Sequence, residues 1–446
     1  TPFAMYPATP DEWHGVLIEL GADTTFGHAA VSTSSSASHT TFHITWPDGA
    51  TTPLRLHQPP KGNAMPLSPA VENALVTLEQ LDEQFGTQYP DDCTVDGVYP
   101  LRVAAFGEPE GGNTEWTTGF VPGMFWVAGD LTGDQQWFDA GRRHLPSFID
   151  RIERKVHVNH HDVGFLYSLS CVPAWRHDKN EQARDAALAA ADELMSRVLP
   201  KVGIIQSWGD LDDPAQAGRA IIDSLMNMPL LYWATEVTGD ESYAVAARRH
   251  ASLLGKSIVR DDDTTHHTFH WDPETGVPVR GTTAQGHSDT STWARGQAWG
   301  VYGFALNYLH TGDPELLAVA ERCARRFLDL LPEDSVPFWD MIFTDGSDEP
   351  RDSSAGAIAV CGLNDLAAIT GKTEYQEAAD RILDSLEANY ATTAEGPENC
   401  LLLHGVYAKH GGRGIDEGNL WGDYYYMEAL QRRQDPTWLS YSHPTA

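Results

Sequence analysis

The chain has 446 residues, 41% of them hydrophobic, which is enough for one large core or for two or three average domains. Its 63 acidic and 30 basic residues give a formal net charge of −33. This charge excludes nucleic acid and anionic membranes as expected partners, and an anionic substrate would have to find a local positive site.

The cysteine usage indicates a compartment for the protein. Five cysteines occur, an odd number, with no Cys-x-x-Cys spacing. Several lie among apolar residues, which favours buried free thiols and a reducing environment. No basic-then-apolar leader and no long apolar run is visible, so we expect neither a signal peptide nor a membrane span. We therefore expect a cytoplasmic protein.

Residues 1–66 differ from the rest of the chain because they are rich in Thr, Ser, Gly and Pro. Two runs of alternating polar and apolar residues, 40–46 and 51–57, are joined by Pro47-Asp48-Gly49, and this pattern predicts a β-hairpin. We assign residues 1–66 to an N-terminal extension without chemistry, and residues 67–446 to a separate main domain.

A short sequence mark divides the main domain into repeats. Thr-Gly-Asp or Thr-Gly-Lys begins at residues 132, 238, 311 and 370. Each mark is followed by apolar residues spaced three and four apart, so the chain leaves one helix, turns at Gly and enters an amphipathic surface helix. Two further surface helices, which lack the mark, are predicted over residues 69–85 and 181–198.

Between the surface helices lie segments that are apolar on all sides, which predicts buried inner helices. They begin near Thr117, Asp162, Ala220, Thr292, Ser353 and Gly418. Six inner and six outer helices alternate with a period of roughly 45–75 residues. This alternation indicates an all-α fold, an (α/α)6 barrel in which helical hairpins close into a ring. The N-termini of all inner helices then gather at one mouth, which favours an anion.

Residues that carry chemistry fall at this mouth or in the loops that lead to it. The stretch 283–303, TAQGHSDTSTWARGQAWGVYG, places an amide, an imidazole, a guanidinium and two indoles near the start of the fourth inner helix. This mixture suits a sugar with a carboxylate, because rings stack on its apolar faces and the cation pairs with its anion. The candidate residues are Trp116, Asp162, Trp208, Asp223, His267, Gln285, Arg295 and Trp299.

Two aspartates are candidates for acid–base chemistry. Asp223 lies between Ile-Ile and Leu-Met, and an apolar environment disfavours the charged form, so its pKa should be raised. The alternative is an aspartate that caps its helix or pairs with a neighbour, and the residues alone leave both open. For Asp162, helix capping is the favoured role. The tryptophans, taken singly, are more typical of a core than of sugar platforms.

Two groups of histidines invite a metal interpretation, one over residues 157–161 and one over 266–270. The second group alternates like a strand, which would divide its histidines between two faces. No cysteine or clear set of carboxylates completes either group. We therefore predict no metal site and no cofactor.

Eight segments occur in the same order as in the unsaturated glucuronyl hydrolases, glycoside hydrolase family 88, and resemble them over about residues 75–432. They are EWTTGF, HDVGFLY, IIDSLMNMPLLYW, HTFHWDPETG, TAQGHSDTSTWARGQAWGVYG, PFWD, RDSSA and WGDYYY. The resemblance implies an (α/α)6-barrel catalytic domain. It also implies a substrate, an oligosaccharide released by a polysaccharide lyase, with a C4=C5 unsaturated uronate at its non-reducing end.

The resemblance also implies roles for individual residues. Asp223 falls on the family's acid/base aspartate and Asp162 on its second essential aspartate. The sugar-binding positions fall on Trp116, Trp208, His267, Gln285, Arg295 and Trp299. The implied reaction is hydration of the double bond, with Arg295 as our candidate for the substrate carboxylate and the tryptophans as stacking surfaces.

A loop before the last inner helix bears on sulfate. Family members that accept sulfated disaccharides resemble one another in Ser-x-x-Ser-x-Lys, where this chain has Ala408-Lys-His-Gly-Gly-Arg413. Both hydroxyls are missing, whereas Arg413 replaces the lysine and is either an anion ligand or a surface residue. We therefore expect a weaker preference for sulfate.

Two other functions remain open from the sequence. The first is hydrolysis of unsaturated rhamnogalacturonan fragments, although the His161-Asp162 and 285–289 stretches favour the glucuronyl enzymes. The second is a sugar-binding toroid without catalysis, against which the presence of both Asp162 and Asp223 argues. The polysaccharide, the linkage and the oligomeric state are not indicated.

Overall fold

The computed structural model describes residues 66–213 and 215–445 with their side chains, together with the backbone of three N-terminal strands. The chain divides into two compact units, residues 1–61 and 62–446.

The first unit contains a three-stranded antiparallel sheet. Its strands are β1 (Ala30–Ser35), β2 (His39–Thr45) and β3 (Thr51–His57), and they pair in this order. The two alternating runs correspond to β2 and β3, and β1 is an additional strand that the pattern did not indicate. The Pro-Asp-Gly link between the runs lies outside the described residues.

The second unit is mainly helical. Its helices in chain order are α1 (Pro69–Phe85), α2 (Phe120–Thr132), α3 (Gln135–Glu153), α4 (Val163–Ser168), α5 (Cys171–Asp178), α6 (Glu181–Ser196), a 3₁₀ helix (Ile222–Asn227), α7 (Met228–Thr238), α8 (Glu241–Ser257), α9 (Ala294–Thr311), α10 (Pro314–Asp329), α11 (Ser353–Thr370), α12 (Thr373–Asn389) and α13 (Leu420–Gln434). The outer helices are α1, α3, α6, α8, α10 and α12, each with one buried stripe.

The remaining helices form an inner ring. Helix α2 packs against α4 through Phe120 and Phe165, whose ring centroids are 5.5 Å apart. The contacts then run from α4 to α7, from the 3₁₀ helix to α9, and through α11 and α13 back to α2. The predicted (α/α)6 barrel is confirmed, with two irregular members: the second inner helix is broken between α4 and α5, and the third begins as a 3₁₀ helix.

The repeated Thr-Gly-Asp mark is a helix stop followed by a helix start. Gly133, Gly239 and Gly312 end inner helices with φ of 69°, 76° and 66°, a left-handed conformation that glycine adopts without steric cost. The aspartate that follows caps the next helix; Asp134, for example, accepts a hydrogen bond of 3.0 Å from the backbone N–H of Gln136. The mark therefore fixes the tight turn of each hairpin.

Helix α11 shows how closely the inner helices pack. A Cβ at Gly362 would lie 2.7 Å from the Cα of Tyr302 in α9, so only glycine fits there. Among the described helices, α11 alone is long and apolar enough to pass a composition test for a membrane span, and 72% of it is buried inside the protein.

Short strands lie in the loops that lead to the inner-helix N-termini. Strands β4 (Arg219–Ile221), β5 (Thr268–Trp271) and β6 (Pro278–Thr282) form one antiparallel sheet, and β7 (Gly405–Ala408) pairs with β8 (Arg413–Glu417). They precede the 3₁₀ helix, α9 and α13 in the chain, and these strands, with the segments they bracket, carry His267, Gln285 and Arg413.

Candidate active site

The two candidate aspartates are placed by the irregular inner helices. Asp162 comes directly before α4, and Asp223 is in the first turn of the 3₁₀ helix. Asn227, at the end of that 3₁₀ helix, accepts a hydrogen bond of 2.8 Å from the backbone N–H of Phe165 in α4, which ties the two elements together. The side chain of Asp162 makes no capping hydrogen bond to α4, so the expected capping role is wrong.

The two carboxyls lie close to the same nitrogen of one imidazole. His161 Nε2 is 3.2 Å from Oδ1 of Asp162 and 3.7 Å from Oδ1 of Asp223. His160 Nδ1 lies 3.4 Å from the other oxygen of Asp162. The side chains of Asp162 and Asp223 are only 17% and 15% exposed, so the pair is set back from the surface and largely shielded from bulk water. We call this place the recess.

Their surroundings give the two carboxyls opposite protonation behaviour. Burial and the neighbouring charge of Asp162 raise the pKa of Asp223 well above its usual value. Burial also acts to raise the pKa of Asp162, but His161 and His160 outweigh it and hold that pKa below its usual value. Asp223 Oδ1 is buried and has no hydrogen-bond partner among the described residues. A neutral acid beside a carboxylate is an arrangement suited to general acid catalysis.

Two of the predicted tryptophans are partly accessible. Trp116 is half-buried, stacks on Trp421 with ring centroids 5.2 Å apart, and donates a hydrogen bond of 2.9 Å from Nε1 to the hydroxyl of Tyr407. Trp208 is also half-buried, with the guanidinium of Arg219 lying 4.6 Å from its ring centroid. Both rings are held rigidly and are partly accessible, as sugar platforms require.

His267 carries a nitrogen that lacks a partner. Its side chain is buried against Trp293, and Nδ1 forms a hydrogen bond of 2.6 Å with the hydroxyl of Thr268. Nε2 is buried and has no partner among the described residues. Burial and the charge of Arg295 lower the pKa of His267 to about 3, so the ring is neutral. A ligand that bonds to Nε2 would remove the cost of this unsatisfied group.

The structure gives Arg295 a different place from the one we expected. Its guanidinium is 2% exposed, and Nη1 donates to Asp352 at 2.9 Å and to the carbonyl oxygen of Val406 at 2.5 Å. Nη2 donates to Gln285 at 2.6 Å and to the carbonyl oxygen of Tyr407 at 2.9 Å. Both terminal nitrogens are thus engaged within the protein, and Arg295 holds the side chain of Gln285 and the start of the β7–β8 hairpin in place.

Trp299 was also predicted to line the site, and the structure corrects this. The ring is 1% exposed and lies inside the barrel wall, against Tyr425 and Phe165 at centroid distances of 5.4 and 5.7 Å. It therefore supports the residues behind the recess and presents no open face for a sugar.

Comparison with known proteins identifies the family. A sequence model described as Glycosyl Hydrolase Family 88 matches residues 104–436. The chain belongs to this family. It is 42% identical over 368 residues to the unsaturated chondroitin disaccharide hydrolase of Streptococcus pneumoniae, covering 81% of this chain and 90% of the relative. It is also 42% identical over 368 residues to the unsaturated glucuronyl hydrolase of Bacillus sp. strain GL1, covering 81% and 95%.

Solved structures of the family have the same fold. The unsaturated glucuronyl hydrolase of Streptococcus agalactiae superposes with a TM-score of 0.79 and 40% identity, covering 86% of this chain and 99% of that one. A variant of the same enzyme, solved in complex with dGlcA-GalNAc6S, gives a TM-score of 0.72 at 39% identity and covers 85% and 95%. The family 88 chain is therefore a glycoside hydrolase.

The β7–β8 hairpin places Arg413 beside Tyr407 and two acidic residues. Its half-exposed side chain contacts the carboxylate of the buried Asp92, lies 3.8 Å from Asp91, and has its guanidinium 4.6 Å from the ring centroid of Tyr407. Arg102 pairs with the same Asp92 at 2.9 Å. The positive charge of Arg413 is thus matched by acidic neighbours, although part of its side chain faces solvent.

One group of described side chains is close enough to share a metal ion. His161, Asp162 and Asp223 each offer a ligand atom within 4.8 Å of the others. An ion there would hold Asp223 as a carboxylate, since metal ligands bind deprotonated, and would remove the proton that the acid can donate. That the reaction needs no metal stays a prediction.

Proposed function

We propose that this chain hydrates the C4=C5 double bond of an unsaturated uronate at the non-reducing end of an oligosaccharide. The observation that carries this proposal is the placement of two largely buried carboxyls, Asp223 and Asp162, beside the same nitrogen of His161, where their surroundings shift the two pKa values in opposite directions. Relatives at 42% identity are named for unsaturated glucuronyl and unsaturated chondroitin disaccharide substrates, which supports this reaction over the two alternatives.

The proposed chemistry uses Asp223 twice. A C4=C5 uronate is an enol ether, so a proton that Asp223 gives to C4 leaves oxocarbenium character at C5. The resulting carboxylate takes a proton from water as that water attacks C5. The hemiketal then opens and releases the rest of the sugar. Because a double bond is hydrated, the usual carboxylate spacing for glycosidases does not apply.

The neighbours of Asp223 have supporting roles in this proposal. Ionised Asp162 keeps Asp223 protonated until the substrate arrives and accepts hydrogen bonds from ring hydroxyls. The free Nε2 of His267 and the amide of Gln285 contact the uronate, and Trp116 and Trp208 stack on the sugars. Arg295 acts through Gln285 and adds its positive potential near the substrate carboxylate.

Two measurements test the reaction. An active enzyme removes the ultraviolet absorbance of the unsaturated uronate, whereas a sugar-binding toroid leaves it intact. In heavy water the released sugar should carry one deuterium at C4. Release of the reducing-end sugar with the absorbance of the double bond retained would show direct glycosidic cleavage instead.

The rate should depend on pH through Asp223. The pKa of this acid is raised and its protonated form is the reactive one, so kcat/KM should fall as pH rises past that shifted pKa. The decline should therefore occur at a higher pH than an ordinary carboxyl would give. A pH profile of kcat/KM checks this, and a rate that still climbs above neutral pH would show that another group donates the proton.

For the substrate, we propose an unsaturated chondroitin-type disaccharide, with the unsulfated form turned over faster than the 6-sulfated one. A solved relative binds dGlcA-GalNAc6S, but here Arg413 is paired with Asp92 and the two serine hydroxyls are missing. Each lost hydrogen bond is worth about 0.5–1.5 kcal/mol.

Restoring the hydroxyls should shift this preference. Ala408→Ser combined with Gly411→Ser should raise the ratio of kcat/KM for the sulfated over the unsulfated disaccharide. A Cβ at Gly411 meets only ordinary contacts of 3.7 and 3.9 Å, so the turn accepts serine. Gly411→Ala, which adds the carbon without the hydroxyl, is the control. A wild-type preference for the sulfated sugar, or an unchanged ratio in the double variant, would contradict this role of the hairpin.

We also propose a cytoplasmic location. All five cysteines are buried and free in the structure, as a reducing compartment favours. Fractionation of the source cells tests this, and recovery of the activity from the medium would contradict it.

A further inference from the structure

An exposed aromatic ring lies at the tip of a tight turn near the active-site mouth. Phe106 and Gly107 have φ of 55° and 85°, and the carbonyl oxygen of Ala105 accepts a hydrogen bond of 2.9 Å from the backbone N–H of Glu108. Two positive φ values in succession are typical of a type I′ turn, whose first central position favours Asn, Asp or Gly. A phenylalanine there is disfavoured for the backbone, and its side chain is 53% exposed.

One face of this ring is covered by a second strained residue. Phe106 stacks on His157 with centroids 3.8 Å apart and planes 7° from parallel, and His157 has φ of 45°. The ring of His157 is in turn 4.8 Å from that of His160, whose Nδ1 lies 3.4 Å from Asp162. The Phe106–His157 stack is therefore linked to the catalytic pair through one residue, His160.

A carboxyl lies at the edge of the stack. Glu115, with φ of 61°, directly precedes Trp116, and its Oε2 is 3.9 Å from Nδ1 of His157. That Nδ1 is buried and has no hydrogen-bond partner among the described residues. The side chain of Glu115 is 37% exposed, so its oxygens are available as acceptors. Backbone strain at three neighbouring non-glycine residues is a mark of functional sites.

We propose that Phe106, His157 and Glu115, here called the outer platform, bind a neutral pyranose of an oligosaccharide longer than a disaccharide. The inference rests on the proposed hydrolase function and extends it to substrate length. The open face of Phe106 stacks on the C–H face of the sugar, and Glu115 accepts hydrogen bonds from a hydroxyl or acetamide N–H. A carboxyl at the edge disfavours a uronate in this position, so the ring bound here is the uncharged sugar of the repeat.

Affinities for two chain lengths test the outer platform. Calorimetry with the Asp223→Asn protein measures binding of the unsaturated unsulfated chondroitin disaccharide and tetrasaccharide without turnover. The tetrasaccharide should bind more tightly than the disaccharide. Adding Phe106→Asn should lower that affinity ratio about tenfold, which corresponds to ~1.4 kcal/mol. Asparagine suits the first position of a type I′ turn before glycine, so this variant keeps the turn while it removes the ring.

Further variants separate a sugar platform from other roles. Phe106→Trp should preserve the ratio, and so should Val103→Ala, which changes a 63% exposed side chain of the same loop. A ratio near one in the parent protein, or an unchanged ratio in Phe106→Asn, would overturn the proposal. A changed sedimentation coefficient of Phe106→Asn with an unchanged affinity ratio would also overturn it, because the ring would then contact another protein chain. The two proposals can fail separately. If the wild-type protein shows no turnover but Phe106→Asn still lowers the affinity ratio, the hydrolase function is rejected and the outer platform is retained.

Discussion

Replacing Asp223 by asparagine should reduce kcat by about a thousandfold or more, within the range that general acid–base groups supply. Asparagine has nearly the same shape but neither donates an acidic proton nor accepts one from water, and the proposed mechanism needs both steps. The fold should be retained, since Oδ1 of Asp223 has no hydrogen-bond partner among the described residues that the change would remove. Loss of ultraviolet absorbance by the unsaturated disaccharide measures the rate.

The same substitution at an aspartate elsewhere controls for this result. Asp261 is an exposed acid on the turn after α8, and Asp261→Asn makes the same side-chain change without touching the recess. It should show wild-type kcat, and both variants should unfold at the wild-type temperature. Substantial turnover by a correctly folded Asp223→Asn protein would require a different proton donor.

The helical ring could be predicted because its signals are local. Glycine stops a helix and aspartate starts one within the same three residues, so the Thr-Gly-Asp marks at Gly133 and Gly239 fix hairpins without any long-range information. The apolar flanks of Asp223 likewise predicted its raised pKa from adjacent residues alone. Asp162 was harder, since its lowered pKa depends on the contacts of His160 and His161 with its carboxylate, which the residue pattern does not show.

Other features of the site depend on residues far apart in the chain. The carbonyl oxygens that accept hydrogen bonds from Arg295 belong to Val406 and Tyr407, which are 111 and 112 residues away in the chain. No sequence spacing indicates these contacts. Trp299 was misplaced because an inner helix is apolar on all sides, so it has no polar stripe to show which face lines the recess. The strain at Phe106 is a backbone property that a side-chain pattern does not reveal.

Replacing Asp162 by asparagine should change the pH dependence as well as the rate. The negative charge of Asp162 is one of the causes that raise the pKa of Asp223, second to burial. Without it that pKa should drop, and each unit of pKa corresponds to about 1.4 kcal/mol between the two protonation states. At neutral pH less Asp223 is then protonated, so kcat/KM should fall by up to about tenfold for each unit that the pKa drops. The loss of an acceptor for ring hydroxyls should raise KM further.

The same variant should regain activity in acid. The falling part of its profile of kcat/KM against pH should move to lower pH, because Asp223 is protonated again once the pH is below its new pKa. Asp223→Asn should show no such recovery at any pH, which separates loss of the proton donor from loss of the group that tunes it. Asp223 and Asp162 influence each other's protonation, so the apparent pKa values belong to the pair. They should be obtained by fitting the whole profile of kcat/KM against pH. If the falling part stays at its wild-type position in Asp162→Asn, then burial alone raises the pKa of Asp223, and Asp162 acts only by binding the sugar.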